Sequence, residues 1–272
     1  MSNLQQRVIS AIVMAAVTLA VTWLGGLPFR LFCAAITAAI FYEWTRMSRS
    51  ASGASLGFLP ETLILVFIVA LIAGLPASWL LLLVAVLTVA VAVAARLQGA
   101  AQWEASGVTY AALSGFSLAY LRDGDHPGLI SILFLFAVVW ATDIAAYFVG
   151  RAVGGPKLAP SISPGKTQSG ALGGAVGGVV AGLLLAIAAG AANLAVLGLV
   201  ALVLSIVSQI GDLFESWVKR RHGCKDSSKL IPGHGGVMDR VDGLVAAALA
   251  LYVIGWVSAA AADHPAQGLF PF

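Results

Sequence analysis

Long apolar runs separated by short polar segments extend along the whole chain. A bilayer core about 30 Å thick is crossed by roughly 20 apolar residues in a helix. The runs are too long and too continuously apolar for the alternating strands of a membrane barrel. The candidate spans are residues 8–24, 27–45, 62–75, 78–95, 107–121, 129–149, 171–190, 192–211 and 244–262. The pattern therefore predicts an all-α, polytopic integral membrane helix bundle of about nine transmembrane helices.

Composition excludes the other large classes of protein. Of 272 residues, 60% are hydrophobic and only 10% are charged, whereas soluble domains carry about 25% charged residues. A soluble globular domain, a disordered chain and a disulfide-stapled secreted module are all ruled out by this balance. We expect an N-terminal membrane part over residues 1–125, of about five helices. A C-terminal catalytic membrane part would then follow over 126–272, with polar loops at 150–170 and 212–243.

The distribution of basic residues predicts the orientation. With a cytoplasmic N-terminus, 13 of the 15 basic residues fall on the inside and only Arg30 and Arg122 fall outside. Basic residues accumulate in cytoplasmic segments of membrane proteins, so this asymmetry supports both the span count and a cytoplasmic N-terminus. The inside residues are Arg7, Arg46, Arg49, Arg96, Arg151, Lys157, Lys166, Lys219, Arg220, Arg221, Lys225, Lys229 and Arg240.

A stripe of glycines marks the predicted seventh span. Gly170, Gly174, Gly178 and Gly182 recur every four residues, so they share one helix face. Small residues at this spacing allow a neighbouring helix to approach closely. We interpret the stripe as a packing surface.

Carboxylates at membrane depth are the main candidates for chemistry, because such groups are costly to place there. Asp143 lies inside span six, with Tyr147 one helical turn later. Asp212 ends span eight, and Asp239 and Asp242 begin span nine. Each alone is equally consistent with a helix-end carboxylate that pairs with a nearby base. Together on the cytoplasmic side they suit a hard divalent cation such as magnesium, which prefers carboxylate, water and phosphate oxygens.

The polar loops around these acids suit phosphate binding. Cations neutralise phosphoryl oxygens, and glycines let backbone N–H groups approach an anion. An alternative is that the bases only follow the positive-inside rule or contact anionic lipid. His234 is interpreted either as a general base or as a structural hydrogen-bonding group. The phosphate-binding candidates are Lys157, Lys166, Lys219, Lys225, Arg240, Gly235 and Gly236.

The second loop resembles the signature of a known family. The matching segments are Ser216-Trp-Val-Lys219-Arg220, Lys225-Asp226, and Leu230-Ile-Pro-Gly-His234-Gly-Gly-Val-Met-Asp239-Arg240-Val-Asp242. They resemble the phosphatidate cytidylyltransferases, also called CDP-diacylglycerol synthases. The first loop is similar to that family as well, although Gly165, Gln168 and Ser169 replace a lysine, an aromatic residue and a glutamate. Tyr42-Glu43-Trp44 resembles a weaker feature of the family.

The resemblance implies a nucleotidyltransferase that makes CDP-diacylglycerol and pyrophosphate from CTP and phosphatidate. It implies magnesium, in a paired metal centre held by Asp212 and Asp239, with Ser216, Asp226 and Asp242 as further ligand candidates. We expect Asp143 and Tyr147 to orient the nucleotide or metal. The expected partners are CTP, phosphatidate and membrane lipid, with no nucleic acid. The expected location is a bacterial inner membrane, with the active site facing the cytoplasm, and formation of a homodimer is left open.

Other functions remain open at this level. A CTP-dependent lipid kinase would transfer the γ-phosphate instead, and an ether-lipid cytidylyltransferase would use another acceptor. An ion-coupled transporter would use Asp143 and Asp212 as ion sites in broken helices. Clustering of the polar groups on one predicted side argues against a transport path.

Overall fold

The computed structural model describes residues 3–51, 56–124, 126–231, 235–260 and 263–270. Within these ranges, nine helices of at least 15 residues and one short helix follow each other along the chain. They are α1 (Asn3–Leu24), α2 (Gly26–Ala51), α3 (Leu59–Ala73), α4 (Ala77–Leu97), α5 (Trp103–Leu121), α6 (His126–Val153), α7 (Gln168–Ala188), α8 (Leu194–Arg221), α9 (Met238–Ala259) and α10 (Pro265–Leu269). Each predicted span overlaps one of the helices α1 to α9.

The helices identify an integral membrane protein. Six of the described helices, α2, α4, α6, α7, α8 and α9, contain segments long and apolar enough to cross a membrane. Segments Val8–Leu24 and Leu59–Ala73 are shorter apolar helices. Helix α5 has 19 residues but belongs to neither group; it carries Glu104 and several hydroxyl side chains among its apolar residues. The all-α membrane class is therefore confirmed, whereas nine crossings and the orientation of the N-terminus stay predictions.

A β-hairpin replaces much of the predicted first loop. Strand β1 (Lys157–Ala159) pairs antiparallel with β2 (Ser163–Thr167), and Lys157 lies opposite Thr167. The expectation of a loop over 150–170 is thus wrong at both ends, because α6 runs to Val153 and α7 begins at Gln168. The second predicted loop is also shorter than 212–243, since α8 continues to Arg221 and α9 begins at Met238. Hydrogen bonding within the local chain satisfies backbone groups that a loop would leave to water.

The chain folds into two compact units. Unit 1 contains Met1–Tyr120 and Arg221–Val241, and unit 2 contains Leu121–Arg220 and Asp242–Phe272. The division into functional parts at residue 125 stays a prediction.

Aromatic and charged side chains hold the helices of unit 1 together. The Trp44 indole Nε1 on α2 donates to the backbone oxygen of Trp103 at 2.7 Å. Gly107 of α5 makes room for the Trp44 ring, since a Cβ there would collide with it. Arg49 pairs with Glu61 at 2.5 Å and with Glu104 at 2.9 Å, so one guanidinium links α2, α3 and α5.

The glycine stripe packs the helices of unit 2. Gly170, Gly174, Gly178 and Gly182 are all buried on α7. A Cβ at Gly174 would strike backbone and side-chain atoms of α6, and one at Gly178 would strike side chains of both α6 and α8. Close approach therefore depends on the missing side chains, and the predicted packing role is confirmed.

Candidate active site

A cavity in unit 2 is lined by several of the acids and bases that the sequence singled out. It encloses about 650 Å³, within the range of roughly 300–1,000 Å³ that is common for small-molecule sites. Two carboxylates and three cations line it together with one phenol. These residues are Asp143, Asp212, Arg151, Lys157, Lys166 and Tyr147.

Helix α6 supplies three of these groups from one face. Asp143, Tyr147 and Arg151 recur every four residues, so their side chains line the same wall, as predicted. The Arg151 Nη1 donates to the Tyr147 hydroxyl at 3.0 Å. This bond restrains the guanidinium at the cavity before any ligand binds.

The hairpin and the start of α7 supply the lysines. Lys157 lies on β1 and Lys166 on β2, and both line the cavity. Thr167 ends the hairpin and caps α7, because its Oγ1 accepts the Gly170 N–H at 3.1 Å. The Ser169 hydroxyl donates to the Gly154 carbonyl oxygen, which ties the start of α7 to the end of α6. Local hydrogen bonds thus place both lysines at the cavity.

Helix α8 supplies Asp212 and its neighbours. Since α8 continues to Arg221, the acids and bases beyond Asp212 lie on the helix. Asp212 forms an ion pair with Lys166, and the Ser216 hydroxyl donates to Asp212 Oδ1 at 3.4 Å. One turn further, Lys219 pairs with the buried Glu215 at 2.6 Å. On this helix the predicted residues Asp212 and Ser216 thus contact each other, whereas the predicted Lys219 contacts Glu215, which was not among the predicted site residues.

Asp242 joins the same electrostatic group. It interacts with Asp212 and Asp143 as like charges and with Lys219 as an opposite charge. Its Oδ1 accepts the Gly243 N–H at 2.8 Å. Among the described residues, no set of three or more His, Cys, Asp or Glu side chains is arranged to hold a metal ion. The oxygens of Asp143 and Asp212 do match what magnesium takes from proteins, which is one or two carboxylates besides phosphate and water.

Unit 1 contains a different arrangement of charged groups, centred on Glu43. This side chain is 0% exposed on α2. Its carboxylate accepts the Val237 N–H at 2.8 Å, the Met238 N–H at 2.7 Å and the Ser228 hydroxyl at 2.6 Å. The Ser227 Oγ lies 3.1 Å from Glu43 Oε2. Glu43 thereby fixes residues 227–228 and 237–238, the latter at the start of α9.

Asp239 also contacts residues next to this network. Its Oδ2 accepts the Gly236 N–H at 2.8 Å and the Ser227 N–H at 3.0 Å. Gly235 has a φ of +85°, a conformation that favours glycine. The Gly236 position also excludes a side chain, because a Cβ would meet Ser227 and Glu43. Gly235 and Gly236 therefore shape the turn around Asp239, and their predicted nucleotide contact stays a prediction.

A smaller cavity of about 360 Å³ lies beside this network in unit 1. Its lining residues are Arg46, Lys225, Asp226, Ser228 and Lys229. Arg240 is exposed on the first turn of α9. His234 lies outside the described residues. The pairing of Asp212 with Asp239 around metal stays a prediction.

Three polar residues near the cavities were absent from the predicted set. Arg46 lines the smaller cavity, and Gln209 lines the larger one while its Nε2 donates to the Ala171 carbonyl oxygen at 3.3 Å. Glu43 had a usable signal, because it is a carboxylate within the apolar run 27–45. Gln209 offered no comparable signal, since a neutral amide near the end of a span is unexceptional.

Comparison with known proteins gives a consistent similarity. The profile described as "Cytidylyltransferase family" matches residues 5–258. A phosphatidate cytidylyltransferase from Brucella suis biovar 1 is 50% identical over 275 residues, which cover 100% of both chains. One from Brucella abortus biovar 1 is 51% identical over 262 residues, covering 95% of this chain and 96% of the relative. One from Haemophilus influenzae is 38% identical over 133 residues, covering 47% and 46%.

Proposed function

The chain belongs to the cytidylyltransferase family, and from this membership we propose that it transfers the cytidylyl group of CTP to phosphatidate. The products are CDP-diacylglycerol, for phospholipid synthesis, and pyrophosphate. The observation that carries the proposal is full-length identity of 50% to a phosphatidate cytidylyltransferase. The cavity of unit 2 supports it, because carboxylates and cations face one volume large enough for a small molecule.

The proposed reaction is a single in-line displacement. A phosphate oxygen of phosphatidate forms a bond to the α-phosphorus of CTP, while the bond between that phosphorus and the β-phosphate oxygen breaks. Pyrophosphate carries away the electron pair. A phosphate monoester is already mostly dianionic near neutral pH, with a second pKa of about 6, so it needs little help from a base. Catalysis then depends on positioning and on charge neutralisation.

The cations of the larger cavity would bind the triphosphate. Arg151 is held by Tyr147, so it is ready to donate two parallel hydrogen bonds to phosphate oxygens. Lys157 and Lys166 add mobile positive charge from the hairpin. When phosphate oxygens arrive, the Lys166 ammonium would exchange part of its contact with Asp212 for contact with the nucleotide.

Magnesium is the proposed cofactor of this cavity. Bound there, it would neutralise charge on the triphosphate and on the leaving pyrophosphate. Asp212 is the residue best placed to hold it, with the Ser216 hydroxyl beside its Oδ1. Asp143 lines the same cavity and would hold the ion or its water.

We further propose that the lipid reaches the enzyme sideways from the cytoplasmic leaflet of a bacterial inner membrane. Support comes from the inside clustering of 13 of the 15 basic residues when the N-terminus is cytoplasmic. The acyl chains would remain in the bilayer while the phosphate reacts in the cytoplasmic region.

Product identification tests the function directly. Purified protein is incubated with phosphatidate, magnesium and each nucleoside triphosphate in turn, and the lipid product is identified by mass spectrometry. Label from α-labelled CTP is expected in the lipid, and label from γ-labelled CTP in pyrophosphate. Transfer of the γ-label to lipid would instead identify a lipid kinase. Absence of any labelled lipid with all four nucleotides would contradict the proposal.

A further inference from the structure

We propose that unit 1 carries a second binding pocket, selective for a phosphate monoester dianion and formed by Arg46, Lys225 and Lys229. These three cations line the 360 Å³ cavity with Asp226 and Ser228. None of these residues lines the larger cavity of unit 2. The smaller cavity therefore offers its own cationic surface.

Arg46 is oriented before a ligand binds. Its Nη1 donates to the Tyr42 hydroxyl one helical turn earlier on α2, at 3.0 Å. The pair formed by Tyr147 and Arg151 on α6 has the same spacing and the same 3.0 Å distance. A guanidinium restrained in this way loses less conformational freedom on binding than a free one. Each unit thus presents one tyrosine-restrained arginine at its cavity.

The loop wall of the pocket is also fixed. The Ser228 hydroxyl, which lines the cavity, donates to buried Glu43 at 2.6 Å, and the Leu230 N–H donates to Ser228 Oγ at 3.1 Å. The neighbouring Ser227 N–H donates to Asp239. Lys225 and Lys229 therefore flank a short segment that is anchored to a buried carboxylate. Bases that only followed the positive-inside rule would not need a segment held by a buried carboxylate.

The charge balance of the pocket selects the ligand class. Three cations and the single carboxylate of Asp226 give it a formal charge of +2. A phosphate monoester carries about −1.5 to −2 near neutral pH, whereas a phosphodiester headgroup has no second ionisation. The pocket consequently matches a monoester better than the diester groups of ordinary anionic lipids. If the proposed function holds, phosphatidate carries the kind of monoester group that this pocket would select, and that identification of the ligand rests on the proposed function.

Binding of soluble probes tests the pocket. Full-length protein in a neutral detergent is titrated calorimetrically with inorganic phosphate, dihexanoyl phosphatidate and dihexanoyl phosphatidylglycerol. Arg46→Gln is expected to weaken dihexanoyl phosphatidate binding by about tenfold or more, the scale of one lost charge-assisted hydrogen bond. Arg96→Gln is the matched control, because Arg96 is also exposed, lies in the last turn of α4 and carries the same charge.

The ligand sources are separated by the probes. If Arg46→Gln binds inorganic phosphate and dihexanoyl phosphatidate more weakly by the same factor, the pocket recognises the phosphate group itself. If only the affinity for dihexanoyl phosphatidate falls, the pocket recognises a lipid headgroup. Equal affinities of Arg46→Gln and Arg96→Gln for all probes would overturn the pocket. Tighter or equal binding of the phosphatidylglycerol by the wild-type protein would overturn its monoester selectivity.

Two further measurements keep this test independent of the proposed function. Thermal unfolding of Arg46→Gln checks that the protein remains folded, and Lys229→Gln provides a second variant on the loop side of the pocket. CTP binding is followed separately. If Arg46→Gln weakens dihexanoyl phosphatidate binding but the wild-type protein makes no CDP-diacylglycerol, the pocket is supported and the proposed function is contradicted. If the wild-type protein transfers the cytidylyl group but neither Arg46→Gln nor Lys229→Gln changes phosphate binding, the proposed function is supported and the pocket is contradicted.

Discussion

Glu43 in unit 1 and Asp212 in unit 2 are both carboxylates on long apolar helices, yet their surroundings differ. Glu43 is completely buried and accepts two backbone N–H groups and a serine hydroxyl at 2.6–2.8 Å. Asp212 is partly exposed at a cavity and contacts the side chains of Lys166 and Ser216. The first carboxylate is bound to fixed backbone groups, and the second to side chains that can move.

This difference separates a structural role from a chemical one. The backbone donors Val237 and Met238 cannot leave Glu43 without moving the start of α9, so this carboxylate organises the fold there. A partly exposed lysine ion pair is weak, at about 0–1 kcal/mol, so a polyanion or cation can displace it. A carboxylate at membrane depth is therefore diagnostic of function only when its partners can be exchanged.

Asp212→Asn should give the largest effect of any single change. The amide keeps the size of the side chain but removes the charge that faces the cavity. We expect cytidylyl transfer to fall by about 1,000-fold, the scale of losing one electrostatic group in an active site. The measurement is kcat with CTP and phosphatidate, on protein whose thermal unfolding matches the wild type.

Asp263→Asn is the control for that loss, since Asp263 follows α9 and lies outside the group of acids around the cavity. Its activity should stay within about twofold of the wild type, as for most surface substitutions. Similar losses in both variants would mean that Asp212 has no special role, and the comparison with Glu43 would lose its basis.

Glu43→Gln should mainly reduce stability. The glutamine NH2 group is itself a donor and would face the donors Ser228, Val237 and Met238, so at least one buried group would lose its acceptor. We expect the free energy of unfolding to fall by about 3 kcal/mol. Glu61→Gln provides the contrast, because its partly exposed pair with Arg49 is worth only about 0–1 kcal/mol.

Thermal unfolding followed by tryptophan fluorescence compares the two glutamate variants. Glu43→Asp should recover part of the stability, since it keeps the charge while shortening the side chain. If Glu43→Gln is no less stable than Glu61→Gln, the network around Glu43 does not stabilise the start of α9.

Gly178→Val should destabilise unit 2 by about 2 kcal/mol, the usual cost of overpacking. A side chain at Gly178 would press against Thr142 on α6 and Ser205 on α8. Gly165→Ala should be neutral for stability, because the space beside Gly165 in the hairpin is open. Thermal unfolding of both variants shows whether the glycine stripe, and not glycine content in general, supports the cavity wall.

Much of this fold follows from the apolar pattern, because helices at membrane depth must satisfy their own backbone groups. Every predicted span overlaps a helix, and Asp143 and Tyr147 share one face as expected. The hairpin was not predictable, since β1 and β2 have three and five residues and carry Pro164 and Gly165. Its pairing depends on the ends of α6 and α7, which bring the strands together.

The candidate site was predicted in part. Charge and position pointed to Asp143, Lys166 and Asp212, which do line one cavity. The role of Glu43 could not be predicted, because its partners are 184 to 195 residues away in sequence. Residues on one helix face recur at a regular spacing in the sequence, whereas contacts between residues so far apart produce no such pattern.

His222 of unit 1 provides the smallest expected effect. Among the described residues, neither ring nitrogen has a hydrogen-bond partner, and the ring lies edge-on to Trp103 with centroids 4.6 Å apart. Burial, and then the nearby Arg221 charge, lower the pKa of His222 below its ordinary value of 6.5. The unfolded chain therefore takes up this proton more readily than the folded one, so stability should fall as the pH drops through about 6.5.

The His222 effect is measured by unfolding temperature against pH in wild type and in His222→Phe, which keeps a ring beside Trp103 without a titrating group. The wild type should lose more stability than His222→Phe between about pH 7.5 and 5.5, the range over which an ordinary histidine titrates. Arg221→Gln should reduce that loss, because it removes the second cause of the shift. Parallel curves for wild type and His222→Phe would mean that His222 is solvated in the folded protein.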